Sequence, residues 1–429
     1  MFSAIRKRNA EKRDRDIAAR QERRATLARR EFETFRRVVG QGPGVRGNGE
    51  MWWCNHYEWL KSCGYLLRPR YATDWVPSWQ GTKKSPRRCE DAVVPSYNHL
   101  IDATRISDGK FVILKIVKQS RHPFEADIGR FFMSKPLASD LNNHCVPIYD
   151  VLSVPQDEDR IILVMPLLRP YSNPPFDALS EVIDCIRQLF TGLQFMHTHR
   201  VAHRDCMNLN ILMDATSLYK EPFHPFRLEW RRDLSGYAKH YTRTRCRPKY
   251  YFIDFGISRR YDLSDTSPLE LPILGGDKTV PEFQDSIEPR NPFPTDIYYI
   301  GNFLREDFIQ VYLLSTICGD ADIEIEGFGF LEGLVADMVQ DDPSKRPTID
   351  EVVSRFDAIC KGLSGRKLHS RVAPKGENRV TALFRDAGHW TRRFVSKLAS
   401  LGGSSCVENE MISPGQESMK KKMTRSWSS

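Results

Sequence analysis

Four polar side chains in this chain are spaced as if to handle a phosphate ester. Asp205 and Asn210 stand five residues apart in AHRDCMNLNILMD. Asp254 closes the hydrophobic run Tyr251, Phe252, Ile253, just before Phe255 and Gly256. Lys115 lies inside the apolar stretch FVILKIV. Phosphoryl transfer from ATP needs a cation on the phosphates, oxygen ligands for Mg²⁺, and a carboxylate that orients a hydroxyl and accepts its proton. Mg²⁺ is a hard cation and favours oxygen ligands, which Asp and Asn supply and His or Cys do not. A lysine in an apolar strand must aim its ammonium at an anion or sit at a sheet edge.

Such groups need elements to position them. Residues 99–118 read as two strands around the turn SDG (107–109), the second being KFVILKIV. IILVMPLL (161–168) reads as a buried strand, and a long helix is expected over 177–197. A small sheet followed by helices implies an α+β chain in two lobes. MWWCNHYEWLKSCGYLLRPRYATDWVPSW carries five of the eight tryptophans. Rings this large are expected to pack, so 51–94 reads as an aromatic-rich extension docked on the main domain, or else as a groove for a partner peptide.

Six segments carry a resemblance to the eukaryotic-type protein kinase superfamily, and more narrowly to a divergent kinase-like family abundant in fungi. They are Lys115 in its strand, His203-Arg204-Asp205 followed by Asn210, Asp254-Phe255-Gly256, Val280-Pro281-Glu282, Asp296 followed by Gly301, and the stretch DPSKRPT with Arg346. The resemblance spans about residues 95–362. It implies a bilobal fold with a β-rich N-lobe (95–168) and a helical C-lobe (169–362), binding ATP and Mg²⁺ and phosphorylating a protein hydroxyl, expected to be Ser/Thr. By the same resemblance Lys115 contacts the α- and β-phosphates, Asp205 is the catalytic base, and Asn210 and Asp254 hold Mg²⁺. Met165 falls beside the adenine pocket, and Pro166, Leu167 and Leu168 fall on the hinge. Glu125 and Asp127 compete as the acidic partner of Lys115. His203, Arg204, Phe255, Gly256 and Asp296 support the loop, and Glu282 pairs with Arg346. Arg204 further implies a loop ordered by phosphate, with Ser258, Ser264, Thr266, Ser267 and Thr279 as acceptors.

Three departures stand out. The stretch EDAVVPSYNHLIDATRISDGK (90–110) lacks the family's Gly-rich loop; its sole glycine is Gly109. Met207 stands where Ser/Thr kinases usually carry a lysine. Residues 211–253 separate Asn210 from Asp254, far more than the family's usual gap, and hold a basic, aromatic insert near 214–250. That insert reads as a loop packed on the C-lobe or as a surface for an acidic substrate or nucleic acid. These losses open two rival readings: a pseudokinase scaffold and a small-molecule phosphotransferase.

Charge is concentrated at the ends. Residues 1–37 hold 13 Lys/Arg against 6 Asp/Glu, and residues 365–429 hold 13 against 5, within a total of +9, so the body between them is acidic. Residues 1–50 read as a basic helical or disordered tail with a Gly-rich linker (40–50), and 363–429 as a basic, Ser/Gly-rich tail with an amphipathic segment at 381–400. Such tails can contact acidic partners. The ten cysteines form no CxxC pair, which argues against a disulfide framework or zinc site. With no signal-like or spanning apolar run, an intracellular protein, cytoplasmic or nuclear, is expected.

Overall fold

Alternation of apolar and polar residues sets the first sheet. In a computed structural model, the structure describes residues 44–273, 276–284, 286–309, 325–326, 328–374, 389 and 391. The expected helices of the N-terminal tail and of 381–400 lie outside those residues, apart from His389 and Thr391. The chain divides into units 1–383 and 384–429, and everything below concerns the first. Strands β1 (Tyr65–Leu67), β2 (Leu100–Arg105), β3 (Phe111–Lys118), β4 (Asp150–Ser153) and β5 (Arg160–Pro166) form an antiparallel sheet in the order β1-β2-β3-β5-β4. Gly109, at φ 69°, makes the β2–β3 turn that a residue with a Cβ would resist.

Successive strand residues face opposite ways, so this sheet has two buried faces. Ile101, Ala103, Val112, Leu114, Ile162 and Val164 point to one core with Trp53, Leu60 and Tyr71. Val117, Ile161, Leu163 and Met165 point to the other, continuous with the helical part. The first core is supplied by the tryptophan-rich stretch. Its helices α1 (Asn48–Asn55) and α2 (Tyr57–Ser62) lie on the sheet, and the same stretch contributes β1. The sheet thus starts at Tyr65, inside the stretch read as an extension. The putting of α1 at Asn48 also shortens the expected linker: Glu50 closes back on Gly47 N at 2.9 Å, and Arg70 grips Glu50 at 2.5 Å.

Helix α3 (Glu125–Phe132) follows β3, and β6 (Arg169–Pro170) follows β5. Helix α4 (Leu179–Thr198) buries an apolar face that includes Val182, Ile186, Leu189 and Leu193. The short pair β7 (Val201–Ala202) and β10 (Arg259–Arg260) brackets β8 (Ile211–Asp214) and β9 (Lys249–Phe252), with β8 between β6 and β9. Helix α5 (Pro292–Leu304) starts four residues before Asp296, capped by Asn291, whose side chain accepts from Phe293 N. Helices α6 (Glu332–Met338) and α7 (Ile349–Lys361) complete the helical core.

Seven of the described cysteines are free thiols, but Cys246 is disulfide-bonded. Spacing along a chain cannot reveal a pairing between distant cysteines, so this bond had no sign in the sequence. No helix among the described residues is long and apolar enough to cross a membrane.

Candidate active site

Lys115 faces inward from β3 and meets two carboxylates. Its Nζ is 2.5 Å from Glu125 Oε1 and 2.9 Å from Asp254 Oδ1. Glu125 opens α3, while Asp127 is exposed and lies 3.8 Å from Arg130. Of the two competing acids, the lysine therefore takes Glu125. Residues two apart on a helix are rotated by about 200°, so only one of the pair can face the strand. Burial pushes the Lys115 ammonium down, but Glu125 and Asp254 outweigh it and hold its pKa above the ordinary value.

Asp254, two residues past the end of β9, sits in the left-handed region, at φ 65°, and accepts from Gly256 N at 3.3 Å. A Cβ at Gly256 would lie 2.8 Å from His122 Nδ1 and 3.1 Å from Asp254 Oδ1, so the close approach requires glycine. Phe255 is buried between Phe132 of α3 and His203, with ring centroids 5.9 and 5.6 Å away. Burial raises the Asp254 carboxyl pKa, but Lys115 more than offsets this and lowers it.

The loop between β7 and β8 holds Asp205. Asp296, fully buried in α5, accepts from His203 N at 2.8 Å, from Arg204 N at 2.7 Å, and lies 3.0 Å from His197 Nε2. His203 Nε2 is 3.1 Å from Ile253 O. Asn210 donates to the Asp205 carbonyl at 3.0 Å and to its Oδ2 at 2.8 Å. Ile253 N donates to Asn210 O at 3.0 Å, which ties Asn210 beside Asp254. Asp205 Oδ1 is buried with no hydrogen-bond donor among the described residues. Gly276, at φ 68°, passes so close that a Cβ there would sit 2.5 Å from that oxygen.

Farther along, Glu282 and Arg346 form a bidentate pair at 2.6 and 2.9 Å, with side chains 3% and 0% exposed. Thr295 Oγ1 donates to Glu282 at 2.9 Å, and Arg346 also donates to the Pro294 and Gln340 carbonyls at 3.0 and 2.9 Å.

The end beside Met165 differs from the rest. Met165 is buried on β5 opposite Ile113, and Leu167 N donates to Phe111 O at 3.4 Å; Leu167 and Leu168 pack partly buried on the core. On the same face of the sheet as Lys115, β2 carries Asp102, opposite Ile113. Asp102 is fully buried and pairs with Arg68 at 3.0 Å and with Arg232. Arg232 belongs to the insert after β8, and its guanidinium lies 4.4 Å from the Phe111 ring. His224 of the insert is buried 3.5 Å from Glu90, and Phe226 lies 5.4 Å from the Arg68 guanidinium. The insert also binds the helical part, where Arg243 donates to Tyr171 O at 2.8 Å and Thr244 to Glu181 at 2.7 Å. It is therefore not a loop packed on the helical part alone; it also covers the inner face of β2. Asp102, Arg232 and Arg68 had no motif to mark them, because their pairing is made through space. The tight Gly-rich loop finds no counterpart, for β1 and β2 are joined by the ordered residues 68–99.

Among the described residues no cluster of three His, Cys, Asp or Glu could hold a metal by itself. The donors present fit Mg²⁺ nonetheless. That ion commonly takes one or two carboxylates together with substrate phosphates and water, and here it would have Asp254, Asn210 and the unpartnered Asp205 Oδ1 at hand.

The chain is similar to a light-sensor protein kinase from Ceratodon purpureus, 24% identical over 257 residues. The match covers 51% of this chain and spans 17% of that relative's length. No protein-family model matches the chain. The similarity is a distant relationship to a protein kinase, and the structure is mixed α+β with a curled antiparallel sheet.

Proposed function

We propose that the chain is a bilobal protein kinase that uses ATP and Mg²⁺ to phosphorylate a protein hydroxyl, with Ser/Thr as the acceptor class. The observation that carries this reading is the convergence of Lys115, Glu125 and Asp254 on one side and Asp205 and Asn210 on the other. Glu125 holds Lys115 so that its ammonium faces the α- and β-phosphates, a charge-assisted contact. Mg²⁺ held by Asp254 and Asn210 would neutralise charge on the phosphates. Asp205 orients the acceptor hydroxyl and takes its proton as the oxygen attacks phosphorus. Asp296 and His203 keep the Asp205 loop in place. The fungal kinase-like resemblance and the lobe boundaries near 168 and 362 belong to this same proposal. The test is turnover of ATP with Mg²⁺ and a protein acceptor, run beside Asp205→Asn. Turnover that is equal in both proteins rejects the assignment.

One observation favours a second reading, a pseudokinase scaffold. The inner face of β2, beside the hinge, is occupied by Asp102 with Arg68 and Arg232 rather than left as an apolar wall. A nucleotide base would have to share or displace that packing. If millimolar ATP with Mg²⁺ leaves the melting temperature unchanged, the scaffold reading replaces the enzyme reading.

A further inference from the structure

The segment from Asp254 to Glu282 must be held for Asp205 to face a hydroxyl. Part of that holding runs through Arg204. Its Nη1 donates to Ile257 O at 2.9 Å and its Nη2 to Leu271 O at 2.8 Å. The remaining partner is an acid: Arg204 Nη1 lies 3.2 Å from Glu270 Oε2, with side chains 8% and 21% exposed. The other Glu270 oxygen accepts from the Tyr261 hydroxyl at 3.0 Å and sits 3.8 Å from Arg259 Nε. Burial, and then Glu270, raises the Tyr261 pKa, so the phenol stays protonated and donates. The Glu270 backbone exchanges two hydrogen bonds of 2.9 Å with Arg290. The Glu270 carboxylate thus joins two arginines and a tyrosine, and its backbone ties them to the strand-like edge before α5.

The hydroxyls expected to accept phosphate are placed otherwise. Ser258 is fully buried and donates to His203 O at 2.9 Å. Thr279 donates to Asp277 Oδ1 at 2.7 Å. Ser264, Thr266 and Ser267 are exposed; Ser264 turns back on Asp262 at 2.6 Å, and the nearby Arg200 bonds the Asp265 carbonyl. The Arg204 guanidinium already has its anion, and bringing a second one would place like charge beside Glu270.

We propose that Glu270 is a positioning residue acting through Arg204, a built-in carboxylate that does the work of a loop phosphate. The loop is then set for transfer as the chain folds, with no phosphorylation of it required. This rests on the kinase reading, and its test is chosen to separate the two. The full-length chain, Glu270→Gln, Glu270→Asp and a Ser264→Ala/Thr266→Ala/Ser267→Ala triple variant are assayed for ATP turnover on a protein acceptor, with and without prior phosphatase treatment. ATP affinity and amide hydrogen exchange across 257–273 are measured on the same samples. A charge-assisted contact of this kind corresponds to about tenfold or more, so Glu270→Gln should lower kcat by at least that factor. ATP affinity should stay unchanged, exchange should speed up, and Glu270→Asp should recover part of both. The triple variant and the phosphatase-treated chain should keep wild-type turnover and exchange.

Wild-type turnover and exchange in Glu270→Gln overturn the proposal. So does turnover lost on phosphatase treatment or in the triple variant, which would assign the role to a phosphate near Arg200. If the wild-type chain shows no transfer at all, the kinase reading fails and exchange alone decides. Faster exchange in Glu270→Gln upholds the clasp, and unchanged exchange refutes it.

Discussion

Asp205 holds its proton more tightly than an ordinary aspartate. Burial is the main cause, and the nearby Asp254 and Asp277 add to it against His203 and Asn210. If Asp205 is the proposed base, it acts only when ionised, so kcat should rise with pH through this group, with an acid limb above the ordinary value of 3.8. Asp205→Asn should remove that limb and cut turnover by about 10² or more while leaving the melting temperature near wild type. The measurement is a pH–rate profile of both proteins. Asp254 works in the opposite sense on stability. Its folded pKa is lowered, so its contribution is present above the unfolded value and fades as pH falls through the folded one. At this scale the sequence singled out Lys115, Asp205, Asn210 and Asp254, where chemistry restricts residue type, and the fold links Lys115 to Asp254 and Asn210 to Asp205. The sequence was silent on Glu125 against Asp127, because the choice depends on the phase of α3. It was silent on Glu270 too, since an acid in a polar loop gains meaning only from Arg204 and Tyr261 beside it.

Among elements, the junction of the Glu282 segment with α5 and α7 depends on one ion pair. Arg346 spends its guanidinium on Glu282, Pro294 O and Gln340 O, over the Tyr298 ring at 4.9 Å. Glu282→Ala would leave that charge buried without its carboxylate, a loss of roughly 3–5 kcal/mol. A denaturation curve should show it, and an unchanged midpoint would mean the pair contributes little. The insert bears on the sheet in the same manner. Arg232→Ala removes one partner of buried Asp102, whose carboxylate Arg68 and Arg232 keep ionised against burial. If the insert restrains the base end of the cleft, this variant should bind ATP more tightly while melting earlier. Calorimetric titration showing weaker or equal binding would place the insert's role elsewhere. Strand and helix positions around these contacts were readable from periodicity: β3, β5 and α4 fall within two residues of expectation. The destination of the insert was not, because a run of Arg, Tyr and Trp carries no period that says what it packs on.

For the molecule as a whole, the N-terminal sheet is sandwiched between two cores, and one of them is covered by side chains from residues 53–71, before the stretch that resembles kinases. A fragment starting at residue 95 would lack β1 and uncover Ile101, Ala103, Val112 and Leu114. Exposing that face forfeits burial of several aliphatic side chains and leaves an unpaired β2 edge. The fragment should be recovered aggregated, whereas one starting at residue 44 should be soluble, as a sedimentation assay would report.

The covering layer also has an optical meaning. Trp53 is 2% exposed and donates its indole N–H to Asn98 O at 2.9 Å, at the threshold of β2. Trp52 stacks on His56 at 4.0 Å, and the Trp75 ring lies under the Arg46 and Arg70 guanidiniums at 5.0 and 4.9 Å. Indole emission shifts with the polarity and charge around the ring, so the protein carries its own dye on the face of the sheet opposite Lys115. If the proposed nucleotide binds on the far side and moves β2, that colour will change without a label, and Trp53→Phe will remove the part of the signal that reports on the Asn98 contact.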